Sequence, residues 1–173
     1  MRKLIVWGNM QFKYRCLAVI APLVFILDQI TKYFVVEKMP LGSSTPVVNG
    51  YFDIVHYTNA GAAFGFLSSL SASLRTPFFY AVSVIALIVI IIYMVKLPAA
   101  DRIMPVALSL VVGGIFGNGI DRVRCGHVTD FLSVHIGSKA LWGINLEWPA
   151  FNVADSAITV AMALLIISAF RKQ

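Results

Sequence analysis

The sequence predicts an all-α polytopic membrane protein with four transmembrane helices, and three observations support this fold class. Hydrophobic residues make up 59% of the 173 residues and charged residues only 13%, whereas soluble domains contain about 25% charged residues. The mean hydropathy is +0.83. Four apolar runs are long enough to cross a bilayer core, which takes about 20 helical residues. We expect a single membrane domain over residues 1–173.

The four predicted segments span residues 16–36, 76–95, 103–122 and 151–170. The second contains no charged residue, and the third has none before its outer end. The first carries Asp28 and Lys32, and the fourth carries Asp155. A charged group inside a bilayer is costly, so each of these residues is a candidate functional group.

The N-terminus permits a second interpretation, a cleaved signal peptide, because four basic residues precede the apolar run at 16–27. No small-x-small cleavage site follows that run, and hydrophobic residues resume at 33–36. We therefore interpret this run as the first transmembrane helix.

Lysine and arginine are distributed unevenly about the predicted segments. Eight of the 14 lie at the N-terminus, in the connection around residues 96–102 and at the C-terminus, and six lie on the other side. Since cytoplasmic loops carry the excess of basic residues, both termini are expected in the cytoplasm. The same rule explains the net charge of +6, so we expect no nucleic-acid partner.

Two outer connections follow from this topology, at residues 37–75 and 123–150. Within the first, residues 46–58 are rich in β-favouring side chains and contain Asn49-Gly50, a turn sequence, which predicts a small extracytoplasmic β-hairpin. The second contains Trp142 and Trp148, which suit the headgroup region. Cys16 and Cys125 fall on opposite sides of the bilayer, so no disulfide is expected.

Polar residues from distant parts of the chain converge on one level of the membrane, its outer face. They come from the outer ends of segments one, three and four and from both outer connections: Asp28, Lys32, Asn59, Asn118, Asp121, Arg122, Asp130, Asn152 and Asp155. This convergence is typical of a functional site. Ser109, Gly113 and Gly117 form a stripe of small residues that permits close helix packing beneath it.

Two carboxylates in this group, Asp130 and Asp155, lack a cationic partner at helical spacing. Such a pair, if brought together, does not ionise twice easily, so one acid keeps its proton while the other serves as a base. This is aspartic-protease chemistry, although each acid taken singly is better explained as a local cap. Asp155 lies in the first turn of segment four, where the helix dipole favours its anionic form. Asp28 and Lys32, four residues apart, form an expected structural ion pair.

Five sequence blocks resemble the signature motifs of the bacterial lipoprotein signal peptidases, also called signal peptidase II. They are DQITK at 28–32, NAGAAFG at 59–65, GGIFGNGIDR at 113–122, GHVTDF at 126–131 and FNVADS at 151–156. Their order and spacing match the family and cover residues 28–156. Gly119 and Thr129 depart from the bulkier or apolar residues that are common at those positions, without removing a group that the chemistry requires.

The resemblance implies an intramembrane aspartic endopeptidase of the bacterial cytoplasmic membrane, active near its outer face and needing neither cofactor nor metal. Its implied substrates are diacylglyceryl-modified prolipoproteins, cleaved just before the lipidated cysteine within the lipid bilayer. A single chain is expected to complete the site, so a monomer is expected to function. The family also places a small β-sheet cradle and a short extracytoplasmic helix over the site, and residues 68–75 are a candidate for part of that helix.

The resemblance assigns roles to particular residues. Asp130 and Asp155 are the implied catalytic pair, and Asp28 with Lys32 supports the structure. The positions that shape the site or hold substrate are Asn59, Gly61, Gly114, Asn118, Asp121, Arg122, Asn152 and Ala154.

Other functions are also compatible with a small polytopic protein. A transporter or membrane assembly subunit is the non-enzymatic alternative, although the chain shows no internal repeat and its ionisable groups collect at one end of the segments. A metallopeptidase would use His127, Asp130 and His135, but no His-Glu-x-x-His block is present. A rhomboid-like serine mechanism lacks its Gly-x-Ser-Gly motif.

Overall fold

The computed structural model describes residues 2–61, 71–136 and 148–170, with side chains from residue 12 onward except that of residue 72. The elements in chain order are α1 (Arg2–Lys38), β1 (Ser44–Val48), β2 (Phe52–Asn59), α2 (Ala72–Lys96), α3 (Ile103–Cys125), β3 (Val128–Val134) and α4 (Val153–Phe170). In this part of the chain, four helices are long and apolar enough to cross a membrane. The predicted fold class is confirmed.

Helix α3 lies at the centre of the bundle. Half of its most apolar 18-residue stretch is buried, compared with 11% of the corresponding stretch of α2. It packs on α1 and α4 along its small residues. A Cβ atom on Gly113 would lie 2.7 Å from Cβ of Val24 in α1, and one on Gly114 would lie 2.7 Å from the carbonyl oxygen of Ala154 in α4. Only glycine lets the three backbones approach this closely, which fixes the ends of the helices relative to one another.

A buried lysine joins α1 to the end of α2. The Lys13 side chain is 4% exposed, and its ammonium donates hydrogen bonds to the carbonyl oxygens of Met94 (2.7 Å), Val95 (2.8 Å) and Leu97 (3.3 Å). The last carbonyls of a helix have no partner within it, so this cation caps α2 from outside. The sequence places Lys13 among the flanking basic residues and gives no indication of this role.

The predicted hairpin is present and is extended by a third strand. The sheet is antiparallel with the order β1-β2-β3, and Gly50 in the β1–β2 turn has φ 81°. A left-handed conformation of this kind favours glycine. Strand β3 follows closely on α3, which ends at Cys125 and is capped by Gly126 with φ 76°. The sequence pattern did not reveal β3, because most of its side chains are buried and do not alternate with exposed ones.

The third strand is tied to the start of α4. Leu132 donates its backbone N–H to the carbonyl of Phe151 at 2.8 Å, and Phe151 returns one to Leu132 at 2.9 Å. The sheet therefore lies at the end of the bundle where α3 ends and α4 begins. This link brings Asp130, in the middle of β3, to the first turn of α4.

Several predicted features lie at the edges of the described residues. Trp142 and residues 62–70 lie outside them, so the predicted helix at 68–75 is seen only from Ser71 onward, where its residues belong to the first turn of α2. Trp148, which we expected in the headgroup region, is 62% exposed.

Neither cysteine forms a disulfide, as expected from their predicted positions on opposite sides of the bilayer. Cys16 is buried and Cys125 is exposed, and both are free thiols.

Candidate active site

Asp130 is a buried carboxylic acid in the middle of β3. Its side chain is 4% exposed, and its Oδ1 accepts a hydrogen bond of 2.8 Å from the side-chain amide of Asn152. The side chain of Asn59, at the end of β2, lines the same cavity as Asp130. The hydrogen bond from Asn152 therefore holds this carboxyl group in place, beside the end of β2.

Asp155 lies in the first turn of α4 and takes part in the helix cap. Its backbone N–H donates to Oδ1 of Asn152 at 3.0 Å, while the backbone N–H of Asn152 donates to Oδ2 of Asp155 at 3.2 Å. This reciprocal arrangement is a capping box, with an aspartate in place of the usual glutamate. The other oxygen, Oδ1, accepts a hydrogen bond of 2.7 Å from the side-chain amide of Asn118.

Asn152 therefore connects the two acids, since its side chain donates to Asp130 and its main chain donates to Asp155. Both acids line the same cavity, with a volume of about 490 Å³. Its remaining walls are Asn59, the segment 148–151, and the α4 residues Ser156, Ile158, Thr159 and Val160. The structure thus brings Asp130 and Asp155 together on the wall of one cavity.

Burial and the neighbouring negative charge raise the pKa of Asp130 to about 6 from its ordinary value of 3.8. Burial is the larger cause, because it disfavours the charged form, and the carboxylate of Asp155 is the second. The hydrogen bond from Asn152 and the charge of Lys32 act in the opposite direction. Asp130 is consequently able to hold a proton at mildly acidic pH.

Beneath the two acids, Lys32 is the centre of a buried ionic network. Its ammonium lies 2.7 Å from Oδ2 of Asp28 and 2.8 Å from Oδ2 of Asp121. It also donates a hydrogen bond of 3.0 Å to Oδ1 of Asn118. The pair expected from the sequence, Asp28 with Lys32, is thus part of a larger group that includes α3.

The network also anchors α4. Asp28 is fully buried, and its Oδ1 accepts the backbone N–H of Ala154 at 3.0 Å. The side-chain amide of Gln29 donates hydrogen bonds to Oδ1 of Asp121 at 2.9 Å and to the carbonyl of Gly117 at 3.3 Å, a role that we did not predict. These contacts connect α1, α3 and α4 immediately below the cavity.

Arg122 connects α3 to the loop after β2. Its Nη2 donates to the carbonyl of Gly61 at 2.9 Å, and its Nη1 donates to the carbonyl of Asn118 at 3.3 Å. The guanidinium lies 4.5 Å from the ring centroid of Phe79 in α2, a cation–π contact that the sequence did not predict. Within the described residues, its buried Nε has no hydrogen-bond partner.

The protein-family model of signal peptidase (SPase) II matches residues 20–171. The chain belongs to the signal peptidase II family. Lipoprotein signal peptidases of Syntrophus aciditrophicus and Geobacter metallireducens are 42% and 43% identical to it. The first alignment covers 88% of this chain and 91% of that protein, and the second covers 95% and 96%.

The fold is also similar to solved structures. Two bacterial membrane enzymes determined by the in meso method each give a TM-score of 0.75, at 35% and 34% sequence identity. They cover 90% and 91% of this chain, and are themselves covered over 87% and 94% of their lengths. As a signal peptidase II family member with four candidate membrane spans, the chain is a multi-pass bacterial membrane peptidase.

For this signal peptidase II family member, the structure brings together the residues that the sequence nominated. Gly61 and Asn59 lie beside Asp130 and Arg122, and Gly114 and Ala154 provide the close α3–α4 contact. Thr129, which departs from the family pattern, takes part through its backbone, because its carbonyl accepts a 3.3 Å hydrogen bond from Asn152.

His135, one of the three ligands of the metallopeptidase alternative, does not line the cavity that contains Asp130. Its Nε2 lies 3.4 Å from Oδ1 of Asp53 in β2. Among residues 2–61, 71–136 and 148–170, no three histidine, cysteine, aspartate or glutamate side chains are grouped as metal ligands would be.

Proposed function

We propose that this protein is an intramembrane aspartic endopeptidase that removes signal peptides from diacylglyceryl-modified prolipoproteins, cleaving before the lipidated cysteine. The observation that carries the proposal is the shared contact of Asp130 and Asp155 with Asn152 on the wall of one cavity. Two carboxylates in this arrangement suit the activation of water against a peptide bond. The membership in the signal peptidase II family supports the substrate class.

We assign the base to Asp155 and the proton donor to Asp130. Asp155 is at the N-terminus of α4, where the helix dipole stabilises a negative charge. The raised pKa of Asp130, about 6, favours its protonated form. Because the two acids are coupled, the pair titrates as one system.

The reaction then proceeds in two balanced steps. Asp155 takes a proton from water as the water oxygen attacks the scissile carbonyl carbon, and Asp130 gives its proton to the carbonyl oxygen. The tetrahedral intermediate next returns that proton to Asp130 as its C–N bond breaks. Asp155 gives the proton it holds to the leaving nitrogen, which becomes the amino group of the lipidated cysteine.

The remaining site residues hold these groups and the substrate backbone. Asn118 and Asn152 fix the carboxylates by hydrogen bonds of 2.7 and 2.8 Å. Arg122 keeps the loop at Gly61 in place, because its Nη2 donates a hydrogen bond of 2.9 Å to the Gly61 carbonyl. Asn59 accepts the backbone N–H of Gly61 at 3.0 Å and so shapes the same edge of the cavity.

The shape of the cavity suits a lipid-embedded substrate. From Asp155 it continues along α4 past Ile158 and Thr159 to Val160, a distance of about 7.5 Å at 1.5 Å per residue. This surface lies in the span Val153–Phe170, so a hydrophobic signal peptide is able to approach from the bilayer. We place both termini in the cytoplasm and the cavity near the outer face, and we expect a monomer to suffice.

The purified protein in detergent, incubated with a diacylglyceryl-modified precursor, tests this proposal. We expect a product that begins at the lipidated cysteine, identified by mass spectrometry, and no cleavage of the unmodified precursor. Asp130→Asn and Asp155→Asn should each abolish the product. The matched control is Asp53→Asn, which changes an aspartate of β2 that contacts Ser44 and His135. Cleavage by either of the first two variants at the wild-type rate would exclude the carboxylate pair.

A further inference from the structure

We propose that Lys32 is a positioning residue for the carboxylate pair, which acts through Asn118 to hold Asp155 as the ionised partner. The inference rests on the proposed function and assigns the asymmetry between the two acids to a residue that the sequence treats only as half of a structural ion pair. Lys32 does not line the cavity, so its effect on the reaction is indirect.

Lys32 determines which way the side-chain amide of Asn118 is turned. A lysine ammonium has three hydrogen-bond donors and no acceptor. Lys32 directs them to Asp28, Asp121 and Asn118 at 2.7, 2.8 and 3.0 Å. The atom of Asn118 that faces Lys32 must therefore be its oxygen. Asn152 supports the same orientation, since its side-chain amide donates to that oxygen at 3.1 Å.

The consequence for Asp155 follows from the geometry of the amide. With its oxygen turned to Lys32, Asn118 presents its NH2 group to Oδ1 of Asp155 at 2.7 Å. The reversed amide would place an oxygen against that carboxylate, an arrangement that is favourable only when Asp155 carries a proton. The cation thus selects the amide orientation that stabilises the ionised acid, and its pull on the amide oxygen strengthens the N–H donor.

The other charged groups near Asp155 do not supply this asymmetry. Asp28 and Lys32 face it from α1, Arg122 from α3 and Asp130 from β3. Asp121, also in α3, contacts Lys32. Arg122 acts on both acids by charge, and its hydrogen bonds go to the carbonyls of Gly61 and Asn118. Among the cations in the described part of the chain, Lys32 is the one whose hydrogen bond reaches a side chain bonded to Asp155.

The test must separate positioning from folding, because Lys32→Met alone leaves two buried acids without their cation and is expected to destabilise the protein. The double variant Lys32→Met/Asp121→Asn removes one charge of each sign. Asp121→Asn alone is its matched control, since it keeps Lys32 in contact with Asn118. Each variant is purified in detergent, and kcat and KM for a diacylglyceryl-modified precursor are measured across the pH range.

Relative to Asp121→Asn, the double variant should show at least a tenfold lower kcat with KM within twofold. The acidic limb of its pH profile should move to higher pH, because Asp155 must be ionised to act as the base. Asn118→Ala leaves Lys32, Asp28 and Asp121 intact and should move the acidic limb of the pH profile in the same direction. This variant provides the test if the double variant does not fold.

An unchanged acidic limb in Asn118→Ala would overturn the proposal, as would a double variant with the kcat and pH profile of its control. Either result, with cleavage still abolished by Asp155→Asn, would leave the proposed function in place. Wild-type cleavage by Asp155→Asn would instead contradict the proposed function itself.

Discussion

The side-chain amide of Asn118 in α3 lies 2.7 Å from Oδ1 of Asp155 in α4. The hydrogen bond crosses between two helices whose backbones are in close contact one turn earlier in α3, at Gly114. The position of Asp155 is therefore set by helix packing as well as by its own cap. A site held by packed helices is more rigid than one held by loops. This rigidity suits a reaction that needs two carboxylates held at fixed positions relative to each other.

Asp130→Asn should stabilise the protein at neutral pH. The pKa of Asp130 is 3.8 in its ordinary state and about 6 when folded, so ionising it opposes folding. The free energy of unfolding should fall as pH rises from about 4 to about 6 and remain lower above that range. The difference between the two values corresponds to at most about 3 kcal/mol.

Thermal unfolding in detergent at several pH values checks this effect of Asp130. The melting temperature of Asp130→Asn should exceed that of the wild type at pH 7.5 and equal it near pH 4. A variant less stable than the wild type at pH 7.5 would show that the ionised form of Asp130 is favoured by folding.

Gly117→Ala should destabilise the bundle and disrupt the network around Lys32. The new Cβ would lie 2.7 Å from Oδ2 of Asp28, an oxygen that is bound to Lys32, and 3.0 Å from Cβ of Ala154. An overpacking cost of about 1–3 kcal/mol is expected. Gly119→Ala is the matched control, because a Cβ there meets nothing within 4 Å.

Melting temperatures of the two glycine variants provide the comparison. Gly119→Ala should be neutral or stabilising by up to about 1 kcal/mol, because alanine favours a helix more than glycine does. Equal stability of both variants would mean that α3 does not pack against α1 and α4 through Gly117.

Asn59→Ala should reduce cleavage with little change in the amount of folded protein. The substitution removes an amide that lines the cavity with Asp130, and it removes the acceptor for the N–H of Gly61. A small displacement of this edge of the site should lower kcat about 10- to 100-fold. Asn49→Ala, in the exposed turn between β1 and β2, is the control and should retain activity. Loss of folded Asn59→Ala protein would instead make the loop structural.

Lys13→Met should lower stability while leaving cleavage unchanged. It removes the ammonium that caps the carbonyls of Met94, Val95 and Leu97, far from the cavity. Leaving buried carbonyls unpaired costs about 1–3 kcal/mol. Lys96→Met removes an exposed lysine from the end of α2 and should have little effect on the melting temperature. The same melting temperature in both variants would contradict the capping role.

The fold class could be predicted from the sequence because the membrane imposes long apolar helices, which hydropathy detects directly. The hairpin was also predictable, because Asn49-Gly50 and the surrounding β-branched and aromatic residues are a local signal. Strand β3 was not predictable. Its buried residues are consecutive and do not alternate with exposed ones, and its pairing with Phe151 joins distant parts of the chain.

Within the candidate site, the sequence indicated which polar residues converge, because burial of charge in a membrane is rarely accidental. The partners of these residues were less accessible. Nothing local shows that Lys32 contacts Asn118, that Arg122 lies over Phe79 or that Gln29 reaches Asp121, because each contact joins two helices.

The most direct test of the carboxylate pair compares Asp130→Asn, Asp155→Asn and the double variant in turnover of a diacylglyceryl-modified precursor. Groups that act as one catalytic unit give strongly non-additive effects. We predict that each single variant falls to the same residual rate as the double variant. Single variants with partial activity, whose losses multiply in the double variant, would contradict a joint role of the two acids.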